Sequence, residues 1–381
     1  MPNIICMASA GSGKTHKVIT ESIEKIKEGG KVLVVTFTTN NQKELKHRFS
    51  ILNGGQSDSF IVKGLYSFYL EDIVRPYQSV FFNNRIEGIF FNESNPHLIP
   101  GTARYRIGRA EKNKDDTINS QHFLTGDGKK AHTGFLAKLA ARVSQKTNNA
   151  TSKRINNIYS HIYFDEVQDL AGWDYTVIKQ LSEVINSSIT CVGDFRQTVY
   201  STTFAKKTPA TMDEKIAEFS KMNFKSEYLN INMRSVSQIC EFSNMIHADM
   251  CNDIASGVEE IPDCFKGHTG IFVVKESDVC DYLDEFNAVV LRWNVRSGNK
   301  ILPKHAKCYN YGDSKGMGFN RVVIIPTSNI LKFILSKEEN LLVSEAIRNK
   351  FYVAVTRAKY SLAFVIPDKQ VHETDFVVWG R

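Results

Sequence analysis

The chain has 381 residues, of which 42% are hydrophobic, 23% charged and 11% aromatic. At about 150 residues per domain, this length predicts two domains or one domain with insertions, and the composition excludes disordered, collagen-like and coiled-coil proteins. The net charge of +7 is by itself weak support for a polyanionic partner. There is no signal-peptide pattern, no run approaching the ~20 apolar residues that span a bilayer, and no CxxC spacing among the cysteines. We therefore expect a cytoplasmic protein.

Short apolar runs recur along the chain and predict buried strands. In the first half they are followed by segments with helical spacing, and strands that alternate with helices are typical of a parallel α/β fold. The predicted strands are 3–8, 31–36, 161–164, 189–192, 289–293, 322–325 and 362–366, and the clearest predicted helices are 15–27 and 43–49. Residues 92–127 are rich in Gly, Asn and charged residues and predict a loop-rich insertion, and a domain boundary is expected within 205–228.

One segment of the chain accounts for its net positive charge. Residues 101–154 contain 12 Lys and Arg against 4 Asp and Glu, so the remainder of the chain is close to neutral. This concentration fits a solvated surface and a nucleic-acid-binding surface equally well. Within it, Arg104, Arg106 and Arg109 are our candidates for contacts with phosphates.

A glycine-rich loop, ASAGSGKT, occupies residues 8–15. It follows a predicted strand and opens a predicted helix, which is the context in which such a loop binds phosphate through its backbone amides and the helix N-terminus. The side chain of Lys14 would reach the β- and γ-phosphates, and the hydroxyl of Thr15 would bind Mg²⁺. The predicted nucleotide-binding residues are Ala10, Gly11, Ser12, Gly13, Lys14 and Thr15.

An acidic pair ends the apolar sequence HIYF. Asp165 is suited to hold Mg²⁺, and Glu166 is suited to polarise the attacking water. An acidic pair at a strand end is a weak signal alone, but the phosphate loop upstream strengthens it. Phosphoryl transfer also needs positive charge on its transition state, for which Arg234 and Arg357 are candidates.

Taken together, these motifs resemble those of superfamily 1 helicases of the UvrD/Rep/PcrA type, and they follow that family's order. The resemblance covers the phosphate loop at 8–15, motif Ia at 36–38, motif Ib at 64–68 (GLYSF), motif II at 165–169 (DEVQD), motif III at 193–200 (GDFRQTVY), motif IV at 232–235 (NMRS), motif IVa at 290–292 (VLR), motif V at 314–319 (SKGMGF) and motif VI at 352–359 (YVAVTRAK).

The resemblance implies two RecA-like P-loop NTPase domains, with a small insertion in the first and ATP hydrolysed between them. It also implies 3′→5′ movement along single-stranded DNA. Gln197 would sense the γ-phosphate, Arg234 and Arg357 would act as arginine fingers, and Arg292 and Gly316 would join the nucleotide-binding set. The implied nucleic-acid contacts are Phe37, Thr38, Tyr66 and Tyr200.

The same resemblance sets expected domain limits. The first RecA-like domain would comprise residues 1–77 and 156–215, interrupted by a small basic insertion, 78–155, similar to the family's 1B domain. The second would comprise 216–381. Only residues 295–312 separate motifs IVa and V, so the family's 2B insertion has no counterpart there.

Three departures from the family pattern concern the nucleotide base. Seven residues precede Ala8, where the family has an adenine-binding Gln further upstream. Met233 replaces the aromatic residue that stacks on adenine, and Gly318 replaces a Glu that contacts the sugar. We therefore expect hydrolysis of ATP or other NTPs with weak base discrimination.

Several functions stay open at this point. The chain could be a DNA translocase or helicase, an NTP-driven switch that controls a protein partner such as a nuclease, or a silent DNA-binding module. The complete set of phosphate-handling residues argues against the last. No residue distinguishes RNA from DNA. Compact helicases of this type occur in phages and in antiviral operons such as Gabija, which is an analogy only.

Overall fold

The computed structural model describes residues 2–184, 188–198, 204, 208–248 and 253–380. The chain forms two compact units. The first comprises Met1–Met7, Thr15–Gly193 and Tyr200–Glu227, and the second comprises Ala8–Lys14, Asp194–Val199 and Tyr228–Arg381. The phosphate loop and the segment after Gly193 thus pack with the second unit. The limits of the RecA-like domains expected from the sequence stay predictions.

The first unit contains a central sheet and the helices around it. Its strands are β1 (Ile4–Ala8), β2 (Val32–Thr36), β3 (Phe60–Gly64), β4 (Gly88–Phe90), β5 (Lys130–His132), β6 (His161–Asp165), β7 (Ser188–Gly193) and β8 (Lys225–Leu229). Its helices are α1 (Lys14–Lys27), α2 (Thr39–Asn53), α3 (Leu65–Phe68), α4 (Ser120–Phe123), α5 (Thr133–Lys146), α6 (Ala150–Ile158), α7 (Trp173–Ser182) and α8 (Met212–Lys221). A π-helical turn, Tyr69–Val74, follows α3.

The main sheet of this unit has six strands in the order β3-β2-β6-β7-β1-β8. The pairs from β3 to β1 are parallel. Strands β2, β6 and β7 are buried along their whole length, which is why they appear in the sequence as continuous apolar runs. Since these strands are parallel, their carboxyl ends lie along one edge of the sheet, where ligands bind in such folds.

The second unit is built in the same way. Its strands are β9 (Ile231–Asn232), β10 (Ala255–Ser256), β11 (Gly270–Lys275), β12 (Val289–Arg292), β13 (Cys308–Asn310), β14 (Phe319–Ile325), β15 (Ala358–Ile366) and β16 (Val377–Trp379). Its helices are α9 (Ser237–Ile246), α10 (Asp263–Lys266), α11 (Val279–Phe286), α12 (Ser328–Ser336) and α13 (Glu345–Val355).

A second six-stranded sheet, in the order β13-β12-β14-β15-β11-β16, forms the centre of this unit. Its neighbouring strands are all parallel. Helices α9, α12 and α13 pack on one apolar face of the sheet, and α11 packs on the other. Two parallel sheets flanked by helices confirm the predicted α/β class with two RecA-like domains.

The strands predicted from apolar runs all occur, within a residue or two of the predicted limits except where β14 and β15 begin earlier. Strand β8 was not predicted, because it lies at the sheet edge and its side chains are mostly exposed, so it has no apolar run. Within the part of the chain that the structure describes, no helix is both long and apolar enough to cross a membrane.

Candidate functional site

The phosphate loop follows β1, is anchored to Leu229 at its start and is held by hydrogen bonds within the loop. The backbone N–H of Ser9 donates to the carbonyl of Leu229 over 2.9 Å. The carbonyl of Ser9 accepts from the Ser12 hydroxyl at 2.8 Å and from Lys14 Nζ at 3.4 Å. Lys14 therefore folds back over its own loop. Helix α1 begins at Lys14, and the N–H groups of a first helical turn have no partners within the helix, so they are available to an anion.

The loop needs glycine at Gly11 for two separate reasons. Its φ is +72°, a left-handed conformation that side chains disfavour. A Cβ at Gly11 would also collide with the side chain of Asn232 and lie 2.8 Å from Arg234 Cβ. Gly13 has φ +83° but open space around it. The loop thus packs closely on the motif IV residues at Gly11 and stays open at Gly13.

A series of hydrogen bonds connects the phosphate loop to motifs III and VI within the second unit. The N–H of Ala10 donates to the hydroxyl of Tyr352 over 3.4 Å, and that hydroxyl donates to Asp194 Oδ2 over 3.3 Å. Asp194 Oδ2 also accepts from Gln197 Nε2 at 2.7 Å. Gln197 Oε1 in turn accepts from Arg357 Nη2 at 3.3 Å. Two predicted catalytic residues, Gln197 and Arg357, are therefore in direct contact.

Tyr352 is fully buried at the centre of this network. Burial and the charge of Asp194 both raise the pKa of its phenol. The hydroxyl therefore keeps its proton, which lets it donate to Asp194 while it accepts from Ala10. The guanidinium of Arg196 lies over the Tyr352 ring, 5.9 Å from its centroid. Burial lowers the pKa of Arg196, but Tyr352 and Asp194 outweigh that effect and the pKa is raised, so its positive charge is secure.

The remaining basic and glycine candidates lie in the same unit. Arg357 is only 2% exposed, and it also donates to the carbonyls of Val353 and Met317, at 2.9 and 3.0 Å. Arg234 Nη1 lies 3.5 Å from the Thr356 carbonyl, beside motif VI. Arg292 Nη1 donates to Asn299 over 2.9 Å. Gly316 has φ +83° with open space where a Cβ would point.

The acidic pair lies at the carboxyl end of β6 in the first unit. Thr36 at the end of the neighbouring strand donates to Asp165 Oδ2 over 3.3 Å. Glu166 has φ +58°, a conformation that residues other than glycine seldom adopt. Its carboxylate accepts a hydrogen bond from the side-chain amide of Gln168. Thr15, the other predicted Mg²⁺ ligand, is the second residue of α1 and partly buried.

The predicted nucleic-acid residues of the first unit form part of an aromatic row. The rings of Phe37 and Tyr66 meet edge to face, with centroids 5.8 Å apart. The Tyr66 ring meets Phe91 in the same way at 6.0 Å, and Phe91 is 71% exposed. Thr38 uses its hydroxyl to cap α2, accepting from the N–H of Asn41 at 3.1 Å. Tyr200 lies outside the described residues.

The basic segment is less uniform than its sequence suggests. Arg104 and Arg106 are exposed, whereas Arg109 is half-buried and donates to the carbonyl of Gln121. Two further cations of the segment, Lys138 and Arg142, are both ion-paired with Glu111, at 2.8 and 2.6 Å. Only some of the basic residues in this segment therefore present an unpaired charge to solvent.

Three residues that the sequence analysis did not single out belong to these sites. Tyr352 links the phosphate loop to motif III, although in the sequence it is only the first letter of motif VI. Phe91 extends the aromatic row, and Tyr105 is exposed between Arg104 and Arg106. An aromatic residue between two arginines is a recognisable signal for nucleic-acid binding, so Tyr105 could have been found. Phe91 could not have been found in this way, because only the folded structure brings it into contact with Tyr66.

Comparison with known proteins finds one matching family and several relatives. The sequence profile of the family described as "AAA domain" matches residues 1–203. The ATP-dependent DNA helicase Rep of Buchnera aphidicola is 25% identical over 285 residues, covering 64% of this chain and 41% of that protein. The Gabija protein GajB of Bacillus cereus is 25% identical over 255 residues, covering 65% of this chain and 47% of that protein.

A probable DNA helicase II homolog of Mycoplasma capricolum is 26% identical over 287 residues, covering 62% of this chain and 38% of that protein. These alignments thus span less than half the length of each curated relative.

Proposed function

The chain belongs to the AAA domain family and groups with the superfamily 1A helicases, and from this membership we propose that it is a nucleic-acid-dependent NTP hydrolase. In this proposal it hydrolyses ATP and uses the energy to move along single-stranded DNA. The 3′→5′ direction is proposed from the family resemblance.

The observation that carries the proposal is the network around Asp194. It joins the loop that would bind phosphate, the residue that would sense the γ-phosphate and the arginine that would stabilise its transfer. Positive charge preorganised where negative charge develops is the largest contribution to phosphoryl transfer. An arrangement in which Gln197 and Arg357 are hydrogen-bonded lets a change at the phosphate loop reach both residues.

Four side chains have separate proposed roles in hydrolysis. The backbone of the glycine-rich loop and Lys14 would hold the phosphates, and Lys14 is free to turn from its long contact with Ser9. Glu166 would orient and polarise the attacking water. Thr15 and Asp165 offer the hydroxyl and carboxylate oxygens that Mg²⁺ prefers, and Mg²⁺ held there would neutralise phosphate charge.

We propose weak discrimination among nucleotide bases. Met233 stands where the family has an aromatic platform, and its side chain is 64% exposed. Its backbone N–H donates to the carbonyl of Gly11 over 3.0 Å, so it lies beside the phosphate loop. Gly318, which borders Arg234, offers no carboxylate to a nucleotide sugar. A flexible thioether covers any base, whereas hydrogen-bonding side chains would select one.

The nucleic-acid surface is proposed on the first unit. The row of Phe37, Tyr66 and Phe91 offers aromatic faces and edges to unstacked bases, and every base can stack regardless of sequence. Thr38 and Tyr200 are proposed as further contacts. Arg104 and Arg106, with partial help from Arg109, would bind phosphates of the same strand.

The second candidate function is an NTP-driven switch that controls a protein partner such as a nuclease. A helicase separates the strands of a duplex when it hydrolyses NTP, whereas a switch hydrolyses NTP without separating strands. A strand-displacement assay on a duplex with a 3′ single-stranded tail, and on one with a 5′ tail, separates the two functions. Displacement from the 3′ tail alone supports the proposed direction, and displacement from neither supports the switch.

The hydrolytic function is tested directly with purified protein. Release of phosphate from ATP, GTP and CTP is measured for the wild type, for Glu166→Gln and for Glu183→Gln, an exposed carboxylate on the same unit. We expect comparable rates on the three nucleotides, loss of all three in Glu166→Gln and no change in Glu183→Gln. Full activity in Glu166→Gln would remove the assignment of Glu166, and a strong preference for ATP would remove the base-tolerance proposal.

A further inference from the structure

A buried lysine contacts the turn that follows the acidic pair. Lys215 is on α8, within the 205–228 stretch where the sequence predicts a domain boundary, yet only 2% of the residue is exposed. Its ammonium donates a hydrogen bond of 2.5 Å to the backbone carbonyl of Gln168. Lysine is rarely buried unless it is paired, because removing an ammonium group from water costs free energy. The hydrogen bond therefore holds the buried ammonium of Lys215 against the backbone of motif II.

The start of α8 is built to hold Lys215 in place. The hydroxyl of Thr211 accepts from the N–H of Glu214, and the carboxylate of Glu214 accepts from the N–H of Thr211, both at 3.3 Å. This reciprocal cap fixes the first turn of the helix. Lys215 follows immediately and directs its side chain into the unit, whereas Lys221 at the other end of α8 is exposed and pairs with Glu218 at 2.7 Å.

Gln168 is the residue through which Lys215 reaches the acidic pair. Its side chain is completely buried, and its amide Nε2 donates to the carboxylate of Glu166. On the other side, the end of β7 approaches so closely that a Cβ at Gly193 would collide with Gln168 Oε1. With its carbonyl held by Lys215 and its amide confined by Gly193, Gln168 can present its N–H groups to Glu166 in few orientations.

Glu166 needs such support because of its backbone. Its φ of +58° is left-handed, and a residue other than glycine keeps that conformation only when its surroundings hold it there. The turn that follows, Val167–Asp169, is the one whose carbonyl Lys215 binds. The hydrogen bonds from Lys215 to Gln168 and from Gln168 to Glu166 therefore act on the strained residue itself.

We propose that Lys215 is a positioning residue for Glu166. In this role it touches neither nucleotide nor water, but it fixes the turn that orients the carboxylate that polarises the attacking water. The inference rests on the proposed hydrolytic function and deepens it. It predicts an effect on the chemical step and little effect on nucleotide binding, since neither Lys215 nor Gln168 is among the proposed nucleotide-binding residues.

The test compares Lys215→Met with Lys221→Met in the whole 381-residue chain. Both variants remove one ammonium group from α8, and Lys221 serves as the matched exposed control. We expect kcat for NTP hydrolysis to fall about 10- to 100-fold in Lys215→Met, because a small misplacement of a catalytic group has effects of this size. KM and the Kd of a fluorescent ATP analogue should stay within about twofold, since binding is not the step affected. Lys221→Met should match the wild type.

A second arm distinguishes positioning from a purely structural role. In a Glu166→Gln background, a single-turnover assay with enzyme in excess measures the small residual rate. Lys215→Met should lower that residual rate little, because the carboxylate through which it acts is gone. Equal losses of kcat with and without Glu166 would overturn the proposal. Lys215→Gln, which keeps an N–H donor, should recover part of the rate, and it replaces Lys215→Met in both arms if that variant does not fold.

The outcomes separate this inference from the function on which it rests. If the wild type does not hydrolyse NTPs, or if Glu166→Gln is fully active, the proposed function fails and the positioning role fails with it. If the wild type is active, Glu166→Gln is inactive and Lys215→Met equals Lys221→Met, only the inference about Lys215 fails.

Discussion

Arg357 donates a hydrogen bond from its guanidinium to the side-chain amide oxygen of Gln197, over 3.3 Å. The two residues are 160 positions apart in the chain and belong to different motifs. Both are buried, and the turn that carries Gln197 is also held by Lys315, which donates to its backbone carbonyl over 3.1 Å. The γ-phosphate sensor and the arginine finger proposed for this chain are thus part of one hydrogen-bonded group.

Arg357→Ala is expected to abolish hydrolysis with little loss of nucleotide binding. The guanidinium stabilises charge that develops only in the transition state, and removal of an arginine finger costs on the order of 10³-fold or more in kcat. Phosphate release and analogue binding are measured side by side, with Arg296→Ala, an exposed arginine of the same unit, as control. A loss that appears mainly as weaker binding would contradict the assigned role.

Gly11→Ala and Gly13→Ala should differ in stability although both place alanine at a positive φ. The backbone strain, about 1 kcal/mol, is common to both variants. Only Gly11 also meets Asn232 and Arg234, which should add about 1–3 kcal/mol of overpacking. Urea titration of each variant gives the two free energies of unfolding. Equal losses would show that the loop can move away from motif IV without cost.

Phe91→Ala should weaken binding of single-stranded DNA. One base stacked on an aromatic ring contributes about 1–3 kcal/mol, which corresponds to about 5- to 150-fold in Kd. Phe90→Ala is the control, because Phe90 is the preceding residue and packs against His132 instead of Tyr66. Fluorescence anisotropy with a labelled oligonucleotide measures both. Similar affinities for the two variants would remove Phe91 from the proposed surface.

His268 should make the second unit less stable in acid. Its ring is stacked between Phe272 and Phe286, and its nitrogens contact Ser361 and Tyr282. Burial, and next the charge of Arg321, lower its pKa to about 4.

The unfolded chain therefore binds more protons than the folded chain between about pH 6.5 and pH 4. The contribution of neutral His268 to the free energy of unfolding is therefore complete above this window. It is lost as the pH falls through the window, and the loss reaches about 2 kcal/mol at pH 5. His268→Phe should flatten the fall in Tm between pH 7 and pH 5, whereas His305→Asn, at an exposed histidine, should not. An unchanged slope in His268→Phe would refute the assignment.

The sequence was sufficient to predict the fold class, because β2, β6 and β7 are buried on both sides and are therefore uniformly apolar. It was also sufficient to select the candidate nucleotide site, whose glycines and charges occur in a few short motifs. Strand β11 also contains an apolar run, although it is not among the strands predicted from the sequence. Strand β8, by contrast, gives no such signal, since it is an edge strand with exposed side chains.

What the sequence could not supply was tertiary proximity. Nothing in the local pattern around Tyr352 indicates that its hydroxyl lies between Ala10 and Asp194. Lys215 has the sequence context of a polar linker, yet it is buried. The sequence shows that basic residues are concentrated in 101–154, but it does not show that Glu111 pairs with two of them, Lys138 and Arg142. The roles of the site residues stay predictions until they are tested.

The most direct test of the account is the rate of ATP hydrolysis with and without single-stranded DNA, for the wild type and for Glu166→Gln. We expect the wild-type rate to rise when single-stranded DNA is added and Glu166→Gln to be inactive in both conditions. A wild-type rate that does not respond to single-stranded DNA would contradict the proposal of a nucleic-acid-dependent motor and would favour a switch that responds to a protein partner.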